Sequence, residues 1–219
     1  MKKKVFIGLF LGCSLIVFGQ KGANYPMDGM YGGVESGAAY VKVNGFFGSE
    51  ARANAEDEYL TKEFTKSVVS LNLGYGKYLG ESFIALEAHH SLYTKKISES
   101  FTQSDFNFDL SISSKSELDL VIGRKIGAKS LLTLRGGIAF SNINITAISD
   151  LDNDLYVLDK QWNGYSLGSG YVHGISDNLS IKTKYSLTFF NNKQFPNTDS
   201  KLVDNRATVS FIYRIWTKE

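Results

Sequence analysis

Three residues near the middle of the chain, Glu87, His89 and Ser91, carry the groups of a nucleophilic catalytic site. A carboxylate can orient an imidazole, and the imidazole can take a proton from a serine hydroxyl whose oxygen then attacks an electrophile. In a β-strand this alternation puts all three side chains on one face, but neighbours on that face are roughly 6–7 Å apart. Direct hydrogen bonds within the strand are then out of reach. We therefore interpret the three residues as packing residues and predict no catalytic residue.

Two other segments are similar to binding motifs but lack required residues. Residues 123–130 approach a phosphate-binding loop without the glycine that precedes its lysine, and a strand pattern follows where a helix is needed. Asp150, Asp152 and Asp154 begin like a calcium loop, but the sixth and twelfth positions of that loop are not glycine and glutamate. The three histidines have no zinc-ligand spacing. We predict no metal and no other cofactor.

The elements that would position these residues are β-strands, because apolar residues alternate with small or polar ones along the whole chain after residue 30. Eight such segments are recognised, and the fourth is interrupted between residues 112 and 118. Their approximate ranges are 31–43, 69–75, 82–93, 106–122, 131–146, 164–175, 179–190 and 207–215.

The connections between the segments alternate in length. Three are short and rich in turn residues, around residues 79–81, 126–129 and 176–178. The other four are expected to be long and polar, at about residues 44–66, 94–105, 147–163 and 191–204. Short turns at one end and long loops at the other are typical of transmembrane barrels, whose long loops lie outside the cell.

Charged residues on the non-apolar face decide which face points inward. Seven of them come from six segments and include both signs, so they could pair within a narrow lumen. We predict a structural lumen charge network of Glu35, Glu87, Asp119, Arg135, Lys182, Lys184 and Arg214. In a soluble lipocalin-like barrel the same residues would instead face solvent.

The outward positions favour the membrane alternative, because they are small or apolar and aromatic residues gather near the segment ends. A transmembrane barrel is expected to have two rings of aromatic side chains, or girdles, one at each membrane interface. They would comprise Tyr31, Tyr75, Tyr171, Tyr213 and Trp216 at the periplasmic end and Tyr40, Phe106, Phe140, Tyr165 and Phe189 at the outer end. The predicted fold class is therefore all-β, an eight-stranded antiparallel up-and-down transmembrane β-barrel.

The first 19 residues have the layout of a cleaved secretory signal, with three lysines followed by an apolar run and a small residue. Residues 1–19 are predicted to be a signal peptide, 20–29 a periplasmic tail and 30–219 the barrel. Removal of three lysines and no acid changes the formal charge from +2 to −1. Neither value indicates a nucleic-acid partner.

In this layout and in its terminal strand, Arg206 to Trp216, the chain resembles the small OmpA/OmpX-type outer-membrane barrels, a superfamily that includes porin-like and opacity-protein-like members. The resemblance implies location in the outer membrane of a Gram-negative cell. The implied partners are outer-membrane lipid and lipopolysaccharide, the barrel-assembly machinery and an extracellular partner at the loops.

We expect a structural or surface-interaction function with a closed lumen. Eight strands leave no open channel, whereas porins use 16 or more. Two alternatives stay open: a lipid A-modifying barrel enzyme and a soluble ligand-binding barrel.

Overall fold

The structure, a computed structural model, describes residues 25–45, 60–103, 106–149, 155–195 and 198–215. The predicted signal peptide, residues 1–19, lies outside the described residues, as does the tail up to residue 24. No helix in the described part of the chain is long and apolar enough to span a bilayer.

Eight β-strands account for nearly all of the described residues, in agreement with the predicted number. They are β1 (Gly29–Gly45), β2 (Leu60–Leu79), β3 (Ser82–Gln103), β4 (Phe106–Lys125), β5 (Ser130–Ser149), β6 (Leu155–Gly174), β7 (Leu179–Phe195) and β8 (Thr198–Arg214).

The strands form one closed antiparallel barrel in chain order, with β1 paired to β8. The offset of the ladders around the barrel is ten residues, because a path of paired residues that leaves β1 at Gly33 returns to β1 at Val43. The path runs through Gly33, Asn72, His89, Glu117, Ala139, Gly164, Phe190, Leu202 and Val43. An offset of this kind tilts the strands, and closed barrels have tilts of roughly 35–45°.

The alternation along each strand separates an apolar outer surface from a polar interior. On β1, Val34 is 53% exposed while its neighbour Glu35 is 1% exposed. On β3, Leu86 is 55% exposed and Glu87 is fully buried. Leucine, isoleucine, valine, tyrosine and phenylalanine side chains cover the outside of every strand. This facing is that of a membrane barrel and is opposite to that of a soluble lipocalin-like barrel, so the soluble alternative is wrong.

The structure has aromatic residues at both ends of the apolar surface, as predicted, but one of the predicted girdle residues faces the lumen. Tyr40, Tyr165 and Phe189 face outward near one end of the apolar surface, and Tyr75, Tyr171 and Tyr213 near the other. Tyr31 is fully buried in the lumen, where its hydroxyl donates to Glu87, so its assignment to the periplasmic girdle is wrong. The side chains of Phe106 and Trp216 lie outside the described residues.

The two ends of the barrel differ, but not in the way the pattern predicts. Both described ends of the chain and the three short turns share one end, the periplasmic end, and Gly80 has the positive φ that its turn requires. At the outer end the predicted long loops over 94–105, 147–163 and 191–204 are wrong. Most of these residues continue the strands, because β3 reaches Gln103 and β4 begins at Phe106. β3 thus runs eleven residues past Leu92, its outermost exposed apolar residue among those described, or roughly 35 Å of strand.

Above the apolar surface the barrel divides into two sheets. The β2–β3 ladder stops at the pair Val68↔Tyr93, and the β6–β7 ladder stops at Gly164↔Phe190. The remaining ladders continue to the outer ends of the strands. We call the outer parts of β3, β4, β5 and β6 the first outer sheet, and those of β7, β8, β1 and β2 the second outer sheet.

Two of the three register irregularities among the described residues lie where the two ladders end. One falls between Leu92 and Ile97 on β3, next to the last β2–β3 pair. Another falls between Phe190 and Lys193 on β7, at the last β6–β7 pair. An inserted residue bends its strand and increases the local twist. Each irregularity therefore turns a strand away from its neighbour and separates the outer sheets.

The segment before β1 packs against the periplasmic mouth of the lumen. Met27 has φ 64° and is 2% exposed, and Gly29 has φ 84°. The positive φ angles of these two residues turn the chain back toward the periplasmic mouth of the lumen. The Tyr25 ring lies 4.9 Å from the Tyr78 ring, tilted by 43°, and the Tyr78 hydroxyl donates to the Pro26 carbonyl at 3.0 Å.

Candidate functional site: the lumen

Six of the seven charged residues predicted for the lumen meet there. Each is at least 94% buried, although they come from five different strands. They are Glu35, Glu87, Asp119, Arg135, Lys182 and Lys184. Their positions follow from alternation, because each occupies an inward position of its strand.

Glu87 is the centre of this cluster. Lys182 Nζ lies 2.7 Å from both of its carboxylate oxygens, and Arg135 Nη2 donates to Oε2 at 2.7 Å. The Tyr31 hydroxyl donates to Oε1 at 2.8 Å. A carboxylate with three donors is well compensated for its loss of water, as a buried charge must be. The lumen is therefore held by charge pairs that cross it from β3 to β5 and β7.

Two further carboxylates extend the cluster. Asp119 lies 2.7 Å from Arg135 Nη2 and accepts a hydrogen bond from the Ser166 hydroxyl at 2.6 Å. Glu35 lies 2.7 Å from Lys184 Nζ. Arg135 thus bridges two carboxylates with its planar donor set, a geometry that lysine does not offer.

Arg214 lies at the periplasmic mouth of the lumen. It is buried and faces inward as predicted, and its guanidinium donates to the Asn178 side chain at 3.2 Å and to the Tyr25 carbonyl at 3.5 Å. These contacts attach the segment before β1 to the end of β8.

A second charge cluster lies nearer the outer end and was missed from the sequence. Lys115 Nζ bridges Glu117 at 2.9 Å and Asp204 at 3.0 Å. Arg206 Nε donates to Asp204 at 2.8 Å, and its Nη2 donates to the Tyr93 hydroxyl at 2.6 Å. The signal was present, because Asp204 and Arg206 continue the alternation of β8 in phase with Thr208 and Ser210. Asp204 was assigned to a loop, Arg206 was placed in the terminal strand but not in the lumen network, and Lys115 and Glu117 fell in the interruption of segment four.

The three candidate catalytic residues form no catalytic triad. All three point into the lumen, as predicted. His89 Nε2 lies between Glu87 Oε2 at 3.0 Å and Arg135 Nη2 at 2.7 Å. The Ser91 hydroxyl instead accepts a hydrogen bond from Ser70 at 2.9 Å. The imidazole is thus engaged by the charge cluster and the serine by a neighbouring strand.

The histidine on the opposite face has a different environment. His90 is exposed on the outer surface of β3, and its Nδ1 lies 2.9 Å from the hydroxyl of Ser116 on β4. The neighbouring exposed positions on these strands are Leu92 and Leu118. An ionisable side chain in a membrane-facing surface is a candidate functional group.

Apolar layers lie on both sides of the charges in the lumen. The periplasmic layer contains Met27, Tyr31, Phe83, Ala85, Val121, Leu131, Val172 and Ile212. The outer layer contains Ala39, Val41, Val43, Val68, Tyr93, Ile112, Ala139, Ile143, Trp162, Phe190 and Leu202. The members of both layers are at most 8% exposed. In the described residues no His, Cys, Asp or Glu side chains are grouped in a way that could hold a metal ion.

Several solved bacterial barrels are similar to this chain at low identity. The attachment invasion locus protein Ail of Yersinia pestis is 13% identical, with 85% of this chain and 100% of that chain covered and a TM-score of 0.47. Neisserial surface protein A is 11% identical, with 86% and 98% covered and a TM-score of 0.48. The outer-membrane protease OmpT from Escherichia coli is 9% identical, with 85% and 97% covered and a TM-score of 0.44. No protein-family model and no curated protein sequence matches the chain.

The chain's own features, and not these similarities, identify its class. An even number of antiparallel strands, ladder closure from β1 to β8, an apolar outside and a polar lumen are the features of bacterial outer-membrane barrels. The resemblance to the small outer-membrane barrels is thus confirmed at the level of the fold. The chain is an eight-stranded transmembrane β-barrel of the outer membrane.

Proposed function

We propose that this barrel is a non-conducting, non-enzymatic component of the outer membrane that carries two β-sheets into the external medium for contact with other molecules. The observation that supports it best is the layered lumen, in which buried apolar residues lie on both sides of a paired charge cluster. A hydrated ion would have to cross both apolar layers and separate the charge pairs. The strands that extend past the apolar surface supply the material for external contacts.

Conductance tests the closed lumen. The purified, folded barrel would be reconstituted into a planar lipid bilayer beside a 16-stranded porin as the positive control. We expect no channel steps from the barrel under conditions in which the porin conducts. Regular steps that depend on the amount of folded barrel would contradict the proposal, because they would require an open path through the two layers.

We also propose that the membrane-facing surface contacts outer-membrane lipid and lipopolysaccharide, and that the barrel-assembly machinery inserts the chain. A lipid-facing groove of about 350 Å³ supports lipid contact, since its floor contains the small residues Ala38 and Ala207 between the side chains of Tyr40 and Tyr185. Asn205 places an amide in the same groove. An acyl chain fits the apolar part, while the amide accepts a hydrogen bond from the Tyr185 hydroxyl at 3.3 Å and donates one to the Tyr40 carbonyl at 3.5 Å. Native mass spectrometry of the barrel from membranes would reveal retained lipid, and Ala38→Trp, which fills the floor, should reduce it.

A second candidate function is favoured by the His90–Ser116 pair, which faces lipid where the three lumen residues do not. In hydrolysis of an acyl ester of an outer-leaflet lipid, the Ser116 oxygen would attack the ester carbonyl while His90 takes the hydroxyl proton. The proton would pass to the departing alcohol, and water would release the fatty acid from Ser116.

Lipid A mass spectrometry separates this candidate from the first. Cells expressing the wild type would accumulate a lipid A species lacking one acyl chain, and Ser116→Ala and His90→Ala would both abolish it. Ser91→Ala, in the lumen, is the matched control and should leave it unchanged. Identical lipid A in expressing and non-expressing cells would exclude the candidate.

A further inference from the structure

A short chain of polar side chains lies on the lipid-facing surface at the periplasmic end of β5 and β6. The Ser130 hydroxyl lies 3.0 Å from the Tyr171 hydroxyl and 3.1 Å from His173 Nδ1. The Tyr171 and His173 rings are stacked, with centroids 6.4 Å apart and 13° between their planes. Ser130 pairs directly with His173 across the ladder, and Tyr171 is two residues away on the same face of β6. We call Ser130, Tyr171 and His173 the β5–β6 polar cluster.

The hydrogen bonds of this cluster leave one donor unused at one of its ends. If the Tyr171 hydroxyl donates to Ser130 and Ser130 donates to His173 Nδ1, the neutral imidazole carries its proton on Nε2. If the chain runs the other way, His173 Nδ1 donates to Ser130, Ser130 donates to Tyr171, and the Tyr171 proton is left over. Among the described residues the structure has no protein acceptor for either proton. In both arrangements the cluster therefore offers a donor to an acceptor outside the protein.

A cation lies beside the cluster. Lys129 directly precedes Ser130, and its carbonyl accepts a hydrogen bond from the Gly174 N–H at 2.8 Å, which holds the exposed lysine next to the end of β6. Within the described part of the chain Lys129 has no acidic partner, whereas Arg124 on the neighbouring strand lies 3.4 Å from Glu81. Hydroxyl, imidazole and ammonium donors therefore occur together at one place, and this combination suits an anion.

The cluster lies at the level of the lipid headgroups. Tyr171 belongs to the periplasmic girdle, and such girdles mark the interface between the bilayer and water. On the same face of β5, Leu132 and Leu134 follow Ser130 toward the middle of the bilayer and are 50% and 58% exposed. A molecule bound here meets hydrogen-bond donors at one end and leucine side chains at the other. A glycerophospholipid has the same order of groups, with a phosphate at the interface and acyl chains in the bilayer.

We infer that the β5–β6 polar cluster and Lys129 bind the phosphate of an anionic glycerophospholipid of the phosphatidylglycerol type in the periplasmic leaflet. A phosphate diester offers only acceptors to the hydroxyl, imidazole and ammonium donors. Lys129 favours a headgroup without a cation of its own, because the ammonium of a zwitterionic headgroup would lie close to the lysine. The site goes beyond the lipid contact proposed above, since the groove at Ala38 and Ala207 lies on β1 and β8 near the outer end of the apolar surface.

The three histidines of the chain provide a site-specific measurement. The folded barrel with ¹⁵N-labelled histidine would be placed in phosphatidylcholine nanodiscs with an increasing proportion of phosphatidylglycerol, and His173→Gln would assign the His173 ring signals. We expect these signals to shift and to saturate as the proportion of phosphatidylglycerol rises. His90, also exposed to lipid, and His89, buried in the lumen, are internal controls and should show no saturable shift.

Two pairs of variants test the assigned groups. Tyr171→Phe removes a hydroxyl of the cluster, and Tyr213→Phe removes one from the same girdle on β8. Lys129→Gln removes the cation beside the cluster, and Lys77→Gln removes an exposed lysine at the same end of β2. Tyr171→Phe and Lys129→Gln should each raise the proportion of phosphatidylglycerol at half of the His173 shift about tenfold, as loss of a hydrogen bond to a charged group does. The two control variants should leave it unchanged.

The absence of a His173 shift, equal shifts of His173 and His90, or equal effects of the test and control variants would overturn the inference. Inorganic phosphate added to pure phosphatidylcholine nanodiscs distinguishes a lipid from a free anion. No shift of His173 is expected, and a saturable shift like that produced by phosphatidylglycerol would show that the site takes free phosphate and that the inference is wrong. Lipid retention in the Ala38→Trp variant reports on the groove alone, so failure of one site and failure of the other are separate results.

Discussion

Replacing Glu87 by glutamine would show how much the lumen charge pairs stabilise the barrel. Glutamine keeps the shape of the side chain but removes the charge that Lys182 and Arg135 approach to 2.7 Å. Arg135 retains Asp119, also at 2.7 Å. Lys182 loses Glu87, which is its salt-bridge partner among the described residues. One fully buried cation therefore loses its ion-pair partner and keeps, among the described residues, only the electrostatic interaction with Glu35.

Removal of one partner of a buried ion pair costs roughly 3–5 kcal/mol. The Glu87→Gln barrel should lose stability by this amount, or roughly two to four orders of magnitude in the folding equilibrium. The measurement is a urea titration of the barrel in lipid vesicles, followed by the fluorescence of the buried Trp162 and by the proportion of the faster-migrating folded band on a gel.

Two further variants serve as controls for the Glu87→Gln measurement. Glu63→Gln removes an exposed carboxylate 3.5 Å from Lys42, and should leave the urea midpoint close to that of the wild type because exposed ion pairs contribute little to stability. Glu87→Gln combined with Lys182→Met removes the stranded cation as well and should recover part of the loss. If Glu87→Gln unfolds within about 0.5 kcal/mol of the wild type, as ordinary surface substitutions do, the lumen does not depend on these pairs.

Four other outcomes are expected. The folded barrel should migrate faster on a detergent gel before boiling than after it, and a single unchanged band would argue against a closed membrane barrel. Gly37→Ala should destabilise the barrel by roughly 1–3 kcal/mol, because an added Cβ meets the backbone of β8, whereas Gly127→Ala, in an open turn, should have little effect in the same urea titration. Asp204→Asn should weaken the outer charge cluster, which a lowered urea midpoint would reveal. In the periplasmic segment, burial raises the pKa of Asp28 above 3.8, against a smaller opposing effect of Arg214. Stability should therefore fall as the pH rises from 3.8 through the raised pKa, and midpoints measured across pH should show that Asp28→Asn removes this dependence.

Alternation allows the number of strands to be predicted from the sequence, together with which side chains of each strand point into the lumen and which point to lipid. A period of two assigns each side chain to a face without knowledge of the neighbouring strand, so Glu35 and Lys184 can be placed in the lumen from their own segments alone. The assignment of Tyr31 to the periplasmic girdle departed from this rule, because Tyr31 lies four residues before Glu35 and alternation places both side chains in the lumen. Its hydroxyl partner, Glu87, is 56 residues away.

Pairing within the lumen cannot be derived in this way. Lys182 meets Glu87 across 95 residues, and that contact depends on the ten-residue offset of the closed ladder. The offset is set by all eight ladders together. Arg214 shows the consequence, because it faces inward as predicted but its contacts with Asn178 and Tyr25 at the periplasmic mouth could not be foreseen from its own segment.

The outer strands were mistaken for loops because polarity was taken as a sign of irregular structure. Residues 94–103 are rich in lysine, serine and threonine, yet they form the outer part of β3. Outside a membrane both faces of a sheet can meet water, so the apolar alternation disappears while the ladder continues. Composition therefore located the edge of the apolar surface and not the ends of the strands.

Closure of β1 on β8 has a consequence for how the chain reaches its folded state. Tyr31 pairs with Arg214, so nearly the whole chain must be present before the ring of hydrogen bonds is complete. Ladders of such long sequence separation form slowly, because the entropy of a large loop is lost before the contacts are gained. Until that moment Glu87 and Lys182 lie on separate hairpins with unpaired charges. An open, incomplete sheet would therefore be unstable within the bilayer. Insertion and closure are expected to be a single concerted event.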